Sequence, residues 1–574
     1  MFWRKMIGFE YLINYMKKLL RILLMVFWLS ASMQLLAQMN EGGVPLSFNG
    51  LVESTVFQEY DAGKPDFDKI ITEDLQADQL GLPPRFAHSI PVNLNPENSG
   101  TWYFDDAGNA IWRLGIRAEG ALALGLQFID FNLPENASLF IYSIDHQQVI
   151  GAFTQHNNRK SGRFATALVD GDQCIVELNL KNGQNPILPF TLTEITYAYR
   201  YAGDDLKNGE SSDHCEVNVN CSPEGDEWQN AKRGVVRIQI KVGGSSYWCS
   251  GSLLNNTSFD KTPYILTADH CAYQLGGYAT TEDLESWLFY FNYEGLFCES
   301  EDPFPIYFSM SGATKIAQGG NRGSTGSDFY LVRLIDDFPN DSHVYFNGWS
   351  STGNVENNGV TIHHPDGDIK KISTFVEPLV SSSWSGSGLP SHWKVIWSET
   401  LNGWGVTEGG SSGCPMFDPN GRIIGTLTGG LAACDPIGSI GPDKPDYYGK
   451  FAYHWESNGT TDTAQLKPWL DPLNLGVLFL NGLETGMQEN YKSENTIKLF
   501  PNPATSVVNV EFTTFAPKDI QVTLMDLLGR TVIQQELSLM DNNLQIDLHG
   551  NAPGTYFLRL NFNQHTETHK ILIR

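Results

Sequence analysis

Basic side chains are scarce in this chain: 38 Lys and Arg stand against 65 Asp and Glu, a formal net charge of −27. That deficit argues against nucleic acid or an anionic bilayer as a partner, because both are held by cationic patches. It also keeps the chain soluble and favours the approach of basic substrates. Charge of either sign is sparse, at 18% of residues, whereas 41% are hydrophobic. So much apolar material fills real cores and excludes disorder as the bulk state. Beyond the first few dozen residues no apolar run is long enough to read as a membrane span. Cysteine is limited to eight residues, while 55 Gly and 28 Pro favour many short strands joined by turns over long helices. A length of 574 residues predicts roughly three or four domains.

The amino-terminal residues predict export. Lys17-Lys18 leads into the apolar run 19–29, and small or polar residues follow to Ala37-Gln38. This is the layout of a signal peptide over 1–37, with Met16 a candidate true start. Export makes disulfides available to the cysteines. Residues 38–207 read as a β-rich region, with strand-like segments at 101–104, 137–143 and 187–192; a two-sheet sandwich would bury them. Its single Cys174 reads as a small buried hydrophobe. A polar, glycine-bearing stretch at 203–212 predicts an exposed boundary. Residues 208–480 hold the other seven cysteines and every candidate catalytic residue. From Val236 the segment up to Ile240 alternates in the manner of a strand with one face in solvent. A linker is expected over 481–496, and strands at 507–512 and 520–526 predict a small β-sandwich over 497–574.

The chemistry is carried by three segments. Ser412 lies in Gly410-Ser411-Ser412-Gly413-Cys414-Pro415, a glycine-rich bend that exposes a hydroxyl. His270 lies in Thr267-Ala268-Asp269-His270-Cys271 after a hydrophobic strand, and Asp328 precedes the apolar run Phe329-Tyr330-Leu331-Val332. The order His, Asp, Ser is that of the chymotrypsin type of hydrolase. In this reading Ser412 attacks, His270 takes its proton, and Asp328 holds the imidazole in the right tautomer. The backbone N–H groups of Gly410 and Ser412 are the expected oxyanion donors. Cys249 and Cys271 read as neighbouring strand ends joined by a disulfide, while spacing leaves the other pairings open. His363-His364 point to opposite faces of a strand, which makes a poor metal clamp, so a structural or pocket-edge role is expected. Glu282-Asp283 and the 443–446 region lack a full calcium loop. The mechanism calls for no metal and no cofactor.

Together these residues resemble the lysyl endopeptidases, secreted bacterial members of the chymotrypsin-like family. The likeness starts at Cys215-Glu216-Val217-Asn218-Val219-Asn220-Cys221 and runs through the His270 motif, Phe291-Asn292-Tyr293, Cys298 and Ser327-Asp328-Phe329. It continues through Ile362-His363-His364-Pro365, Val406-Thr407-Glu408, Asp446-Tyr447-Tyr448-Gly449 and Trp469-Leu470-Asp471-Pro472. The resemblance implies an all-β protease of two six-stranded barrels, with His270, Asp328 and Ser412 as its triad. It implies disulfides Cys215–Cys434, Cys221–Cys298 and Cys249–Cys271. It puts Asp446 at the base of a pocket that favours Lys or Arg on the acyl side of the cut bond. Trp384 matches a pocket-side tryptophan that the family stacks on a histidine, but Thr428 stands where that histidine is expected, which weakens rejection of arginine. Cys414 departs from a usual serine; it would be a buried free thiol or a partner of Cys174. Residues 38–207 would be a propeptide, with Lys207 a self-cleavage point.

The last region resembles the sorting domain of the Bacteroidetes type nine secretion system, through Leu499-Phe500-Pro501-Asn502-Pro503, Asp526-Leu527-Leu528-Gly529, Pro553-Gly554-Thr555-Tyr556 and Lys570-Ile571-Leu572-Ile573-Arg574. That resemblance implies transit by the secretion machinery, then release or attachment to surface lipopolysaccharide. The expected protein is a secreted or cell-surface monomer that cuts protein or peptide substrates after Lys, and after Arg. A broader trypsin-like protease and an adhesin on an inactive protease scaffold are the alternatives.

Overall fold

The computed structural model describes residues 42–484 and 497–574, except 50–56, 80–81, 106, 183–186, 201–211, 300–306, 339–341, 385, 387, 513–519, 527–529, 538–542, 553 and 563–564. The leader expected over 1–37, the cleavage point Lys207 and the linker stretch 485–496 lie outside the described residues. The chain divides into two compact units, Met1–Thr485 and Gly486–Arg574. Strands dominate both.

In the first unit one sheet runs from Phe308–Ser311 through Leu288–Phe291 and Val235–Val242 to Ser245–Leu254. Tyr264–Thr267 pairs with Ser245–Leu254 and then with Phe329–Leu334, which pairs in turn with Ala313–Gly319. Only Gly312 separates Ala313–Gly319 from Phe308–Ser311, so the sheet curls into a nearly closed barrel. Residues alternating inward, such as Val236, Ile238, Ile240, Ile265 and Val332, fill it.

This sheet does not stop at the polar boundary near residue 208. Arg85–Leu94 adds to the edge of Ser245–Leu254, with Ser245 opposite His88 and Ser246 opposite Ala87. Thr191–Ala198 and Ala123–Ile129 follow outward. An open strand edge offers unpaired N–H and C=O groups, and the amino-terminal region satisfies them here. That region also carries a six-stranded sheet of its own, built around Ala110–Arg117, Gln173–Leu180 and Ala137–Ser143, and a single apolar core runs from it into the barrel. Phe86 stacks on Trp248 at 4.2 Å with the rings 8° from parallel.

One sequence expectation changes. Val235–Val242 is buried along its whole length, not on alternate residues. Arg237 is packed against the rings of Trp248, Tyr290 and Tyr293 and donates to Gly367 O at 2.7 Å, and Lys241 pairs with Glu194 of the amino-terminal region at 2.8 Å. The polar positions therefore face partners that lie far away in sequence. The amino-terminal region also holds a helix, Phe67–Gln79, that buries Ile70, Asp74 and Ala77 on one face, and Asp74 pairs with Arg85 at 2.8 Å.

A second sheet of nine strands follows the order Lys371–Phe375, Gly359–His363, Pro415–Phe417, Arg422–Gly430, Asp446–Lys450, His392–Val395 and Val380–Ser382, with Gly348–Ser350 attached beside Arg422–Gly430 and Phe479–Leu480 beside Gly348–Ser350. Three disulfides pin the unit: Cys215–Cys434, Cys221–Cys298 and Cys249–Cys271. Cys174 and Cys414 are free and buried.

The second unit has a three-stranded sheet, Ile497–Phe500, Val507–Phe512 and Asn543–Asp547, and a four-stranded one, Thr531–Leu537, Ile520–Asp526, Gly554–Phe562 and His565–Ile573. Alternate residues of both, including Val508, Val510, Val522, Leu524, Leu558, Leu560, Ile571 and Ile573, meet in one core.

Emptying the ring stack between the amino-terminal region and the barrel tests this joint sheet. Phe86→Ala is expected to destabilise the intact chain by about 3 kcal/mol, seen as a lower guanidinium midpoint.

Candidate active site

The first sheet supplies a histidine and an aspartate. Tyr264–Thr267 ends in a short turn, Asp269–Ala272, that carries His270, and Cys249–Cys271 ties this turn to the neighbouring strand. Asp328 directly precedes Phe329–Leu334 and stands at φ +59°. Its carboxylate accepts the backbone N–H of His270 at 3.0 Å and lies 2.8 Å from His270 Nδ1. Burial pulls the His270 pKa down, but the Asp328 carboxylate more than offsets this and holds it above the ordinary imidazole value. Burial pushes Asp328 up, and His270 more than reverses that, leaving it below the usual carboxylate value. Beside them, Asp269 accepts from Tyr278 Oη at 2.8 Å and from the N–H of Arg322 at 3.0 Å, and burial together with the Asp328 charge lifts it to about 6.

The second sheet supplies the serine. Gly410 and Gly413 flank Ser411-Ser412 with φ of +85° and +81°, the left-handed region that glycine enters freely. A Cβ on Gly413 would fall 2.2 Å from Thr267 Oγ1, so the bend packs against the strand that leads to His270. Ser412 O accepts the N–H of Ser250 at 2.8 Å, and Ser250 Oγ donates to Gly410 O at 3.0 Å. The Cys271 sulfur touches Ser412 O at 3.6 Å. The structure thus brings the backbone of Ser412 against the turn that carries His270.

Asp446, on Asp446–Lys450, is 1% exposed. Its carboxylate accepts from Trp397 Nε1 at 2.7 Å, Thr407 Oγ1 at 2.7 Å and the Ala432 N–H at 3.2 Å. Burial raises its pKa, and those donors pull part of the way back. Trp384 and Thr428 meet through a residue that sequence reasoning missed. His392 lies 6.2 Å from the Trp384 ring, centre to centre, and its Nε2 is 3.0 Å from Thr428 Oγ1. The imidazole lacking at 428 is present nearby, from the strand His392–Val395. No local signal marks His392, because its partners are 8 and 36 residues away.

Beneath the serine bend, His363 Nδ1 lies 2.8 Å from Ser411 Oγ and its Nε2 lies 3.0 Å from Ser373 Oγ. Burial pushes His363 down to about 3. His364 turns away to the carbonyl of Asp368, 2.9 Å from its Nδ1. Cys414 Sγ is 3.2 Å from Thr361 Oγ1 and 3.4 Å from Tyr448 Oη, and burial pushes its thiol up to about 12. Carboxyl groups also gather here. Glu216 is fully buried, and burial and the Glu408 charge push it well up. Burial and the charge of Asp213 raise Glu408, which accepts the Asp213 N–H at 3.2 Å. Among the described residues Asp213, Glu408 and Cys434 are close enough to hold a cation, but the Cys434 sulfur is spent in a disulfide.

The sign of a pH effect follows from Glu408. Its folded pKa lies above the unfolded one, so the stability it contributes is complete below the ordinary glutamate value, about 4.3, and is lost as pH rises through its raised value. Glu408→Gln removes that loss. Urea titrations are expected to show the variant gaining on the parent chain at pH 8, and gaining less or nothing at pH 4.

Residues 209–449 match the family described as Lysyl endopeptidase, C-terminal domain, and residues 498–574 match Secretion system C-terminal sorting domain. The chain is 27% identical over 304 residues to a lysyl endopeptidase of Pseudomonas aeruginosa; the match covers 50% of this chain and 61% of that protein, about three-fifths of its length. Among solved structures, protease Anisep from Arthrobacter nicotinovorans is similar at 17% identity, covering 38% of this chain and 90% of its own, with a TM-score of 0.27. A serine endoprotease from Yersinia pestis is similar at 11% identity, covering 61% of this chain and 97% of its own, with a TM-score of 0.27. The sorting domain marks the product for secretion or the cell surface. The chain therefore carries a lysyl-endopeptidase-related domain fused to a type nine secretion sorting tail.

Proposed function

We propose that residues 208–480 form a secreted endopeptidase of two β-barrels that hydrolyses peptide bonds after Lys, and after Arg, through an acyl-enzyme. The observation that carries this reading is the buried Asp328 carboxylate, bonded to both the backbone N–H and Nδ1 of His270, with the Ser412 bend packed against the same turn. A carboxylate on Nδ1 leaves Nε2 as the basic nitrogen, able to take the Ser412 proton as the hydroxyl attacks. The imidazolium then returns the proton to the leaving amine, and water repeats the sequence on the acyl-enzyme. The N–H groups of Gly410 and Ser412 are the proposed oxyanion donors, typically worth about 3 kcal/mol each in the transition state. No metal or cofactor enters these steps.

Asp446 is the proposed reader of the substrate cation. A buried carboxylate already oriented by three donors loses little freedom when an ammonium arrives. Thr428 in place of the expected histidine weakens rejection of Arg, while His392 brings an imidazole to Trp384 and Thr428 from another strand. Residues 38–207 act as a propeptide that assists folding and masks the cleft, with Lys207 the proposed point of release. The close approach of Pro84 to Gly409, where a Cβ would fall 2.9 Å from Pro84 Cγ, supports masking near the serine bend. The tail at 497–574 is the proposed address for the type nine machinery, followed by release or lipopolysaccharide attachment of a monomeric enzyme.

Two experiments test this reading. A fluorophosphonate is expected to label the secreted protein at Ser412 and not to label the Ser412→Ala variant; an unlabelled parent would leave a binding protein on a protease scaffold. Asp446→Ala is expected to lower kcat/KM on lysyl peptides by about 3 kcal/mol, roughly a hundredfold, with little change in labelling by a small fluorophosphonate. A preference of the parent for acidic residues would refute the role of Asp446.

A further inference from the structure

Asp328 is not a glycine, yet it stands at φ +59°, a conformation that costs an ordinary side chain about 1 kcal/mol or more. Something must hold it there, and the preceding residue shows what does. The Ser327 N–H donates to Asn458 Oδ1 at 3.0 Å, and Asn458 Nδ2 donates back to Ser327 Oγ at 2.7 Å. Ser327 Oγ also lies 2.7 Å from His454 Nδ1, and His454 Nε2 lies 2.9 Å from Thr426 Oγ1. His454 belongs to the helix Phe451–Glu456 and Thr426 to the strand Arg422–Gly430, whereas Asp328 leads into a strand of the first sheet. The grip is tight: a Cβ on Gly326 would fall 1.9 Å from Asn458 Oδ1.

The donor count orders the chain of bonds. Asn458 uses both ends of its amide on Ser327, which fixes its orientation. The Ser327 hydroxyl proton then serves His454 Nδ1, and the Nε2–H serves Thr426. Burial pushes His454 down to about 3, so the ring stays neutral and the bonds keep their direction across the working pH range.

We propose that Asn458 and His454, acting through Ser327, are positioning residues for the reaction: they hold the Asp328 backbone so that its carboxylate meets both donors of His270. The inference rests on the triad reading above. It separates these residues from general core polar groups, because a misaimed Asp328 weakens the charge that raises His270. The other charged groups facing His270 are Asp269 and Arg322, and His392 faces Asp328 from the second sheet; the variants below leave all three in place.

The test uses the full secreted chain, with the rate of fluorophosphonate labelling measured against pH and divided by the number of sites finally labelled, so that misfolded molecules do not count. In the parent chain the rate is expected to fall as pH drops through a midpoint above the ordinary imidazole value. Asn458→Ala and His454→Phe are expected to lower the plateau roughly ten- to a hundredfold and to move the midpoint to lower pH. KM for a lysyl peptide is expected to stay unchanged. His454→Asn, which keeps a polar group toward Ser327, is expected to recover part of both effects, and the near-isosteric Thr426→Val to show a smaller shift of the same sign. If all variants keep the parent's plateau and midpoint per labelled site, the positioning role is overturned. If Asn458→Ala and His454→Phe yield no labelled sites, Thr426→Val decides alone. A parent chain that takes no label overturns the triad reading itself.

Discussion

Ser250 is the seam between the two sheets of the first unit. It is fully buried in a strand of the first sheet, and it gives its backbone N–H to Ser412 O and its hydroxyl proton to Gly410 O, while its oxygen receives the N–H of His364. Two segments of the second sheet region, the serine bend and the stretch at His364, thus hang on one residue of the first. The site needs this because its parts have separate supports: His270 and Asp328 come from one sheet, Ser412 and Asp446 from the other. Hydrogen bonds in a buried seam are costly to break, since each orphaned group loses water without gaining a partner. The bend that carries Ser412 is therefore as firmly located as the turn that carries His270.

Around this seam the electrostatics are divided by location. On the His270 side the Asp328 carboxylate raises the imidazole above its ordinary value. Behind it His363, His392 and His454 are pushed well down by burial and serve as neutral links between hydroxyl groups. Below the bend burial and the Glu408 charge push Glu216 up, and burial and the Asp213 charge push Glu408 up. The Asp328 carboxylate is thus the main charge acting on the imidazole, with Asp269 and Arg322 as further charged neighbours. The amino-terminal region completes the unit through strand pairing and the Phe86–Trp248 stack, so the barrel edge is covered rather than open to other chains.

The residues that announce chemistry were readable early because their signal is local. Glycines on both sides of Ser411-Ser412 mark a bend, and an apolar run marks a strand behind His270 or ahead of Asp328. Alternation likewise located Ala137–Ser143 and the strands of the second unit. The same alternation misled at Val235–Val242, where Arg237 and Lys241 meet aromatic rings and Glu194 instead of water. A polar residue on a strand looks solvent-facing until a distant segment covers it. The helix Phe67–Gln79 escaped notice because its buried stripe is short and one member, Asp74, is charged.

Short-range pattern was enough to establish a strand-rich exported chain, the bend that bears Ser412, and the three candidate catalytic side chains in their order. These depend on backbone conformation and residue type within a few positions. Long-range folding alone brought His392 to Thr428, tied Asn458 and His454 to Ser327, and ran the amino-terminal strands into the protease sheet. Such partnerships join residues 36 to more than 150 positions apart. A buried hydrogen bond or strand pair of that kind exists only after the chain has closed those loops, and nothing in the neighbouring residues encodes which distant partner will arrive.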